Sequence, residues 1–208
     1  MRVDHYDRSK RLIDIAIASG ALLVSAPLQL VVAILVRRRM GPPVLFRQDR
    51  PGKGERIFEM VKFRSMLEPD AASGVLDDRD RLTEFGAWLR ATSLDELPTL
   101  WNVLKGDMSL VGPRPLLVSY LDRYSEQQRR RHEVRPGLTG LAQISGRNGL
   151  SWKDRFELDV EYVDRRSLRL DVEIMARTVC TVLHREGISG GGSVTMTEYS
   201  IRPEDGSS

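Results

Sequence analysis

The longest apolar stretch of the chain, residues 12–36, limits its fold more than any other feature. It reads LIDIAIASGALLVSAPLQLVVAILV and contains a single charged residue, Asp14, near its start. As a straight helix it would be roughly 38 Å long, which exceeds the hydrocarbon core of a bilayer, about 30 Å thick. A buried helix of a soluble protein is rarely this long and apolar on every side. The segment therefore predicts a helix that inserts into a membrane.

Basic residues on both sides of this segment constrain its topology. Those before it are Arg8, Lys10 and Arg11, and those after it are Arg37, Arg38 and Arg39. Positively charged flanks are retained in the cytoplasm, so these charges favour two ends on the same side of the membrane. The second cluster also opposes a cleaved signal peptide, in which a small-residue cleavage site would follow the apolar region.

Pro27 lies near the middle of the apolar segment, and Ser25 lies two positions before it. Proline removes a main-chain donor and kinks a helix, while a nearby serine hydroxyl can bond to a carbonyl that is left free. These residues favour a re-entrant helix, broken at Pro27, that dips into one leaflet and returns. A tilted helix that crosses the membrane once is the alternative.

Composition excludes several classes of protein. Charged residues make up 29% of the chain and apolar residues 41%, which is typical of a globular protein rather than a disordered or polytopic one. A net charge of +3 does not indicate nucleic-acid binding. Cys180 is the only cysteine, so an intrachain disulfide and a cysteine-based zinc site are both excluded. The three histidines also lack the spacing of zinc ligands.

The remainder of the chain predicts one α/β unit, mostly helical with a small β-hairpin or sheet. Two apolar-rich runs around the turn PGKG predict the hairpin, with Lys62 and Arg64 on one face of its second strand. The other predicted elements are helices over 80–91, 95–106, 116–133, 152–166 and 170–186, and a strand over 141–145. The predicted domains are the re-entrant helix over 1–40, a compact cytosolic domain over 41–187 and a tail over 188–208.

The adjacent acids Asp95 and Glu96 allow two interpretations. Ser93-x-x-Glu96 matches a capping box, and acidic side chains stabilise a helix N-terminus, so the pair has a purely structural explanation. A helix N-terminus also binds phosphate through its free amides. Neighbouring carboxylates there can hold a hard divalent cation against the phosphate, or one of them can attack phosphorus. Both interpretations stay open on the residues alone.

Several basic residues would complement a phosphate bound beside these acids. Arg114 lies between two prolines in the motif GPRP, and so stiff a backbone suits a bidentate phosphate contact. Each cation taken alone has a solvated surface position as its commoner explanation. Because several lie beside turns, we expect them to converge on one site. The candidates are Lys62, Arg64, Arg90, Arg114 and Arg147.

Three stretches of the chain carry a family resemblance: KFRSM (62–66), SLDELPTLWNVLKGDMSLVGPRPL (93–116) and RHEVRPGLTGLAQISGRN (131–148). They closely resemble the bacterial sugar transferase family, the monotopic phosphoglycosyl transferases that initiate glycoconjugate assembly. The similarity runs from about residue 5 to residue 199, and its central stretch is long and specific. The chain resembles the small form of the family, which consists of the re-entrant helix and the catalytic domain.

The resemblance implies an activity, a cofactor and partners. The enzyme would move a sugar 1-phosphate from a UDP-sugar to polyprenyl (undecaprenyl) phosphate and release UMP. It would need Mg²⁺ and follow a ping-pong route. It would be surrounded by membrane lipid as a monotopic protein of the bacterial inner membrane, with its catalytic domain facing the cytoplasm. An oligomer is possible, although nothing in the sequence indicates one. No nucleic-acid partner is expected.

The resemblance also assigns roles to residues. Asp95 falls on the family's covalent nucleophile, and Glu96 on the acid that binds metal or handles a proton. Lys62, Arg90 and Arg114 fall on its basic residues, and Pro27 falls on the proline at which its re-entrant helix breaks. This chain departs from many relatives in having Ala26 rather than serine before that proline.

A second departure is Leu141, where many relatives have tryptophan.

The hypothesis that competes with the transferase is a membrane-anchored module that binds lipid phosphate or a protein partner and catalyses no reaction. The sequence does not identify the sugar that would be transferred.

Overall fold

The computed structural model describes residues 2–68, 78–146 and 149–184. Within these ranges it is mostly helical, with two small sheets, which confirms the coarse fold class. The α-helices are α1 (Arg2–Met40), α2 (Asp78–Arg81), α3 (Glu84–Ala91), α4 (Leu100–Lys105), α5 (Glu126–Arg129), α6 (Leu141–Ser145), α7 (Trp152–Arg165) and α8 (Leu168–His184). The strands are β1 (Leu45–Pro51), β2 (Ile57–Phe63), β3 (Ser109–Val111) and β4 (Gly137–Thr139). The 3₁₀ segments are Lys53–Glu55, Leu94–Thr99, Val118–Arg123 and Arg130–Glu133.

The predicted membrane segment lies within α1, which is continuous through Pro27. The Ser25 hydroxyl donates to the Ala21 carbonyl at 2.5 Å and accepts from the Gln29 amide at 2.9 Å. These bonds place polar groups beside the proline, but the structure does not confirm a break in the helix there. By length and composition α1 is able to cross a membrane, and only 11% of its most apolar window is buried.

The first turns of α1 are bound to the rest of the fold by polar contacts. Tyr6 and Lys10 both donate to the Asp171 carboxylate on α8, each at 2.9 Å. Arg11 donates to two carbonyls at the end of α4, at 2.6 and 2.7 Å. The buried Asp14 carboxylate accepts from the main-chain amide of Leu110 at 3.0 Å. The one acid of the apolar segment is therefore an anchor to β3.

The last turns of α1 pack against the same domain. Val32, Val36 and Met40 form one buried cluster with side chains of β2 and α3. The helix ends at Gly41, whose φ is 72°, and Arg64 donates to the carbonyls of Met40, Gly41 and Pro42. Arg64 thereby satisfies carbonyl groups that a helix C-terminus leaves free. Between the two anchored ends, Leu23 and Val24 are 77% and 84% exposed.

The predicted hairpin is confirmed as an antiparallel pair with Leu45 opposite Phe63 and Pro51 opposite Ile57. A second, parallel pair joins β3 to β4. The main chain is tightly packed there, because a Cβ on Gly137 would lie 2.1 Å from the Gly112 nitrogen. The largest core cluster surrounds this pair and brings together side chains from α1, α4, α7 and α8. The small sheets thus hold the loops that follow them in fixed positions.

Several secondary-structure predictions were right and others were wrong. The last two helices form as α7 and α8, close to their predicted bounds. Residues 141–145 form helix α6 rather than a strand, since a short apolar run does not distinguish the two. The helix predicted over 116–133 is divided into three short segments, because Tyr124 takes an extended conformation and Ser125 caps a new helix. The predicted tail over 188–208 lies outside the described residues, and the domain boundaries remain predictions.

Candidate active site

The acid pair lies in the 3₁₀ segment Leu94–Thr99, ahead of α4. Ser93 takes a left-handed conformation with φ of 55°, and its side chain makes no capping hydrogen bond, so the capping-box interpretation is wrong. Pro98 lies inside the 3₁₀ segment, and the α-helix begins only at Leu100. The predicted start near Asp95 is therefore several residues too early, while the predicted stop at Gly106 is confirmed by its φ of 97°.

Buried polar contacts fix this segment against the second strand of the hairpin. The Thr99 hydroxyl donates to the Val61 carbonyl at 2.8 Å. The fully buried Asn102 side chain accepts from the Val61 amide at 3.0 Å and donates to the Glu59 carbonyl at 2.7 Å. Since both residues follow the acids within two turns, they position Asp95 and Glu96 beside β2.

Asp95 and Glu96 face a cavity of about 1110 Å³. Its walls come from the hairpin, the 3₁₀ segment, the GPRP loop and helices α6, α7 and α8. Asp95 is 5% exposed, and no donor among the described residues hydrogen-bonds to its carboxylate. A buried acid with free lone pairs at a cavity wall is available to a ligand or to a reacting atom.

The charge of Asp95 is set by burial and by its neighbours. Burial, followed by the adjacent Glu96, raises its pKa from 3.8 to about 6. Lys62, Arg90 and Arg114 act in the opposite direction. The carboxylate is therefore a stronger base than an exposed aspartate, and it is ionised at neutral pH because three cations face it.

The structure brings Lys62, Arg90 and Arg114 to the same cavity. Burial lowers the pKa of Lys62, which Asp95 partly offsets. Arg114 donates to the Glu96 carboxylate at 2.6 Å, and Arg90 donates to the Ser65 hydroxyl at 2.9 Å. The predicted convergence is correct for these three cations, which come from β2, α3 and the GPRP loop.

The GPRP loop is held by main-chain bonds rather than by its own side chains. The Gly112 amide donates to the Thr139 carbonyl at 2.9 Å, and the Gly137 amide donates to the Pro113 carbonyl at 2.9 Å. Arg131 also donates to the Arg114 carbonyl at 2.7 Å. The rigidity expected of an arginine between two prolines is thus reinforced from outside the motif.

Two predicted phosphate ligands remain predictions. Arg64 lines the cavity, but its guanidinium donates to the carbonyls of Met40, Gly41 and Pro42. Arg147 lies outside the described residues.

Sequence reasoning missed cavity residues on β1 and α7. Phe46, Gln48 and Arg50 alternate along β1 and all line the cavity, with the Lys62 ammonium 5.5 Å from the Phe46 ring centroid. Burial, followed by the nearby Arg114, lowers the pKa of Arg50 to about 10. The signal available in the sequence was the same period of two that predicted the second strand. Two further lining residues, Arg155 and Asp159, lie one turn apart on α7.

The adjacent acids Asp95 and Glu96 suit a magnesium ion. Carboxylate oxygens are hard ligands, and Mg²⁺ is commonly held by one or two carboxylates together with substrate phosphates. Within the described ranges, no group of three or more histidine, cysteine, aspartate or glutamate side chains could form an all-protein metal site. Asp95 and Glu96 therefore suit a magnesium ion whose remaining coordination positions are filled by the phosphates of a bound ligand.

Comparison with known proteins identifies the family. Residues 5–185 match the bacterial sugar transferase family. An uncharacterized sugar transferase of Bacillus subtilis, EpsL, is 50% identical over 192 residues, which cover 92% of this chain and 95% of the relative.

Relatives with named reactions are also similar. A UDP-glucose:undecaprenyl-phosphate glucose-1-phosphate transferase of Caulobacter vibrioides is 41% identical over 85% of this chain and 70% of its own length. A UDP-N-acetylgalactosamine-undecaprenyl-phosphate N-acetylgalactosaminephosphotransferase of Aeromonas hydrophila is 39% identical over 84% of this chain, but only 43% of its own length. With its acid pair, its converging cations and a match over most of its length, the chain belongs to the bacterial sugar transferase family and is a transferase.

Proposed function

We propose that the protein moves a sugar 1-phosphate from a UDP-sugar to polyprenyl phosphate and releases UMP. The observation that carries this proposal is the buried Asp95 carboxylate, which has no hydrogen-bond donor among the described residues and faces a cavity whose lining includes Lys62, Arg90 and Arg114. The names of the Caulobacter and Aeromonas relatives support the same general reaction.

The cations bind the donor and orient it. A nucleotide sugar carries its negative charge on a diphosphate, which Lys62, Arg90 and Arg114 would neutralise through charge-assisted hydrogen bonds. Arg114 already donates to Glu96 on one side, so its guanidinium links the acid pair to the bound phosphates. Oriented this way, the sugar-bearing phosphorus lies in front of the Asp95 carboxylate, and the UMP oxygen points away from it.

The first half of the reaction forms a covalent intermediate on Asp95. A carboxylate oxygen attacks the phosphorus that carries the sugar, and the bond from that phosphorus to the bridging oxygen breaks. UMP leaves with the electron pair, and its negative charge is stabilised by the same cations. The raised pKa of Asp95 makes its carboxylate a better nucleophile than an ordinary aspartate, because basicity and nucleophilicity rise together.

The second half returns the enzyme to its starting state. An oxygen of polyprenyl phosphate attacks the same phosphorus, the bond to Asp95 breaks, and the carboxylate is restored. The product is a polyprenyl diphosphate-linked sugar. A Mg²⁺ ion held by Asp95 and Glu96 would supply charge neutralisation at the phosphates. Because the two substrates react in turn, one cavity serves both.

We also propose that α1 is re-entrant and that the domain faces the cytoplasm of a bacterial inner membrane. Tyr6 near one end and Met40 at the other contact the same domain, whereas the ends of a spanning helix lie about 30 Å apart across the bilayer. The exposed residues Leu23 and Val24 would then lie in the leaflet. Arg37–Arg39 keep the return end in the cytoplasm.

Labelling tests the topology. Single cysteines at the two termini, in a Cys180→Ser background, should react with an impermeant maleimide only when the cytoplasmic face is accessible. Opposite accessibility of the two ends would establish a spanning helix instead.

An assay of UMP release tests the reaction. The purified protein, with undecaprenyl phosphate, Mg²⁺ and a panel of UDP-sugars, should release UMP with at least one donor. After incubation with that donor alone, mass spectrometry should find a phosphosugar on the peptide that contains Asp95. Turnover without any such adduct would favour direct transfer between the substrates and would exclude the covalent route.

A further inference from the structure

One part of the cavity is apolar and differs from the charged part. Its side chains, which we call the apolar wall, come from α1, from β4 with α6, and from α8. They are Ile17, Leu138, Ala142, Met175 and Val179. A hydrocarbon chain gains more from contact with such a surface than a nucleotide diphosphate or a sugar does.

The apolar wall reaches the protein surface. Ile17 on α1 is 43% exposed and Val179 on α8 is 58% exposed, although both line the cavity. Side chains that line a cavity and are this exposed are the candidates for its mouth. The two helices are joined close by, since Tyr6 and Lys10 of α1 bind Asp171 of α8. The mouth therefore lies between helices that are fixed to each other.

Apolar surface continues outward from this mouth. On α1, Ile13 is 38% exposed one turn before Ile17. A lipid chain leaving the cavity here would remain in contact with apolar side chains rather than water.

We propose that the hydrocarbon chain of the acceptor lipid enters the cavity through this mouth between α1 and α8. The inference rests on the proposed function and locates one of its two substrates. The acceptor is a phosphate on an isoprenoid chain, so it requires an apolar wall that leads to cations. The cavity provides both, with Ile17 and Val179 at the mouth and Lys62, Arg90 and Arg114 around the acid pair. The phosphate thereby reaches Asp95 while its chain stays in the lipid.

Two valines on α8 provide a matched test. Val179 and Val172 are 58% and 60% exposed, but Val172 is not among the described residues that line the cavity. Both Val179→Asp and Val172→Asp place a charge on the apolar face of α8, so both weaken lipid contact equally. Only Val179→Asp also places a carboxylate at the mouth. It should raise the KM for undecaprenyl phosphate by about tenfold or more, with the KM for the UDP-sugar unchanged.

The control separates the mouth from general membrane binding. Val172→Asp should change the KM for undecaprenyl phosphate less than about twofold, and both variants should float equally with vesicles of anionic phospholipid. With a short, water-soluble isoprenyl phosphate as acceptor, the penalty of Val179→Asp should shrink, because less chain crosses the mouth. If Val179→Asp does not fold, the isosteric pair Val179→Thr and Val172→Thr replaces it.

The experiment distinguishes a wrong location of the mouth from a wrong proposed function. If the wild-type protein releases no UMP with any donor, the transferase reaction itself is wrong. If the wild-type protein is active and the two valine variants raise the KM for the acceptor equally, the location of the mouth is wrong. An increased KM for the UDP-sugar in Val179→Asp would likewise overturn it, since that would place the donor at this position.

Discussion

Two buried aspartates line the same cavity, Asp95 and Asp159, and their carboxylates differ in their hydrogen-bond partners. Asp159 is 2% exposed, and one of its oxygens accepts from Arg131 at 3.1 and 2.7 Å. Asp95 is 5% exposed, and no donor among the described residues bonds to its carboxylate. Burial alone therefore does not distinguish an acid held in an ion pair from one that is open to a ligand. The difference lies in whether a fixed cation already occupies the lone pairs.

The surroundings of the two acids reinforce this difference. Arg131 is itself fixed, since it also donates to the Tyr124 hydroxyl at 3.1 Å and lies 5.6 Å from the Phe156 ring centroid. The cations around Asp95 are instead exposed to the cavity, and the Arg114 side chain is 42% exposed. One cluster is closed and stabilises the fold, while the other is open and can exchange its partners for a substrate.

The largest expected effect follows from neutralising Asp95. Asp95→Asn removes the attacking oxygen's charge with almost no change in volume, so turnover should fall on the order of 10³-fold or more. UMP release in the presence of both substrates measures this loss. The matched control is Asp122→Asn on the surface, which should retain full activity. Comparable activity in Asp95→Asn and Asp122→Asn would show that Asp95 is not the nucleophile.

Neutralising Asp159 should lower the stability of the fold. Asp159→Asn leaves the buried Arg131 guanidinium without its counter-charge, which costs about 3–5 kcal/mol. The midpoint of thermal unfolding in detergent should fall strongly in this variant, while Asp95→Asn should retain the wild-type midpoint or exceed it. A midpoint for Asp159→Asn equal to that of the wild type would mean that the Arg131 contact contributes nothing to the fold.

The same contrast shows what could be predicted from the sequence. Asp95 was predictable because it lies in a long motif beside Glu96, and Lys62, Arg90 and Arg114 were predicted with it. Asp159 was missed, because its partner is 28 residues away and nothing in the local pattern links the two. The contacts of Arg64 with the carbonyls after α1 could not be predicted, because only the three-dimensional structure shows where α1 ends.

The fold was predictable where a single local signal decided the structure. The hairpin and the last two helices follow from turn residues and long apolar periods. Helix α6 was predicted as a strand, because five apolar-rich residues carry no distinct period and tertiary packing decides between the two. The contacts of both ends of α1 with one domain depend on Asp171 and Phe63, which are remote in sequence and could not be inferred from the apolar run alone.

His132 is a third buried ionisable group, and it makes the free energy of unfolding depend on pH. It packs against Tyr124 with ring centroids 5.5 Å apart, and burial lowers its pKa to about 4. Between pH 6.5 and 4 the unfolded chain takes up a proton that the folded protein excludes, so the free energy of unfolding falls as the pH falls. This group contributes up to about 1.4 kcal/mol per pH unit in that window.

Thermal unfolding at pH 7 and pH 5 measures the contribution of His132. The wild-type midpoint should fall more over this interval than that of His132→Gln, which has no ionisable group at this position. Equal losses in the two proteins would assign the acid sensitivity to carboxylates elsewhere.

The smallest effect is expected from the neighbouring residue, Arg130. Its guanidinium pairs with Asp164 on α7, but the two side chains are 35% and 50% exposed. Solvent and salt screen such a pair, so Arg130→Gln should move the unfolding midpoint by no more than about 2 °C. Arg131→Gln, the same change one position later, should lower it by roughly 10 °C, because Asp159 is then buried without a partner. Equal shifts for these two arginines would mean that burial of the Arg131 pair adds nothing to stability, and the distinction between the closed and open acids would lose its energetic basis.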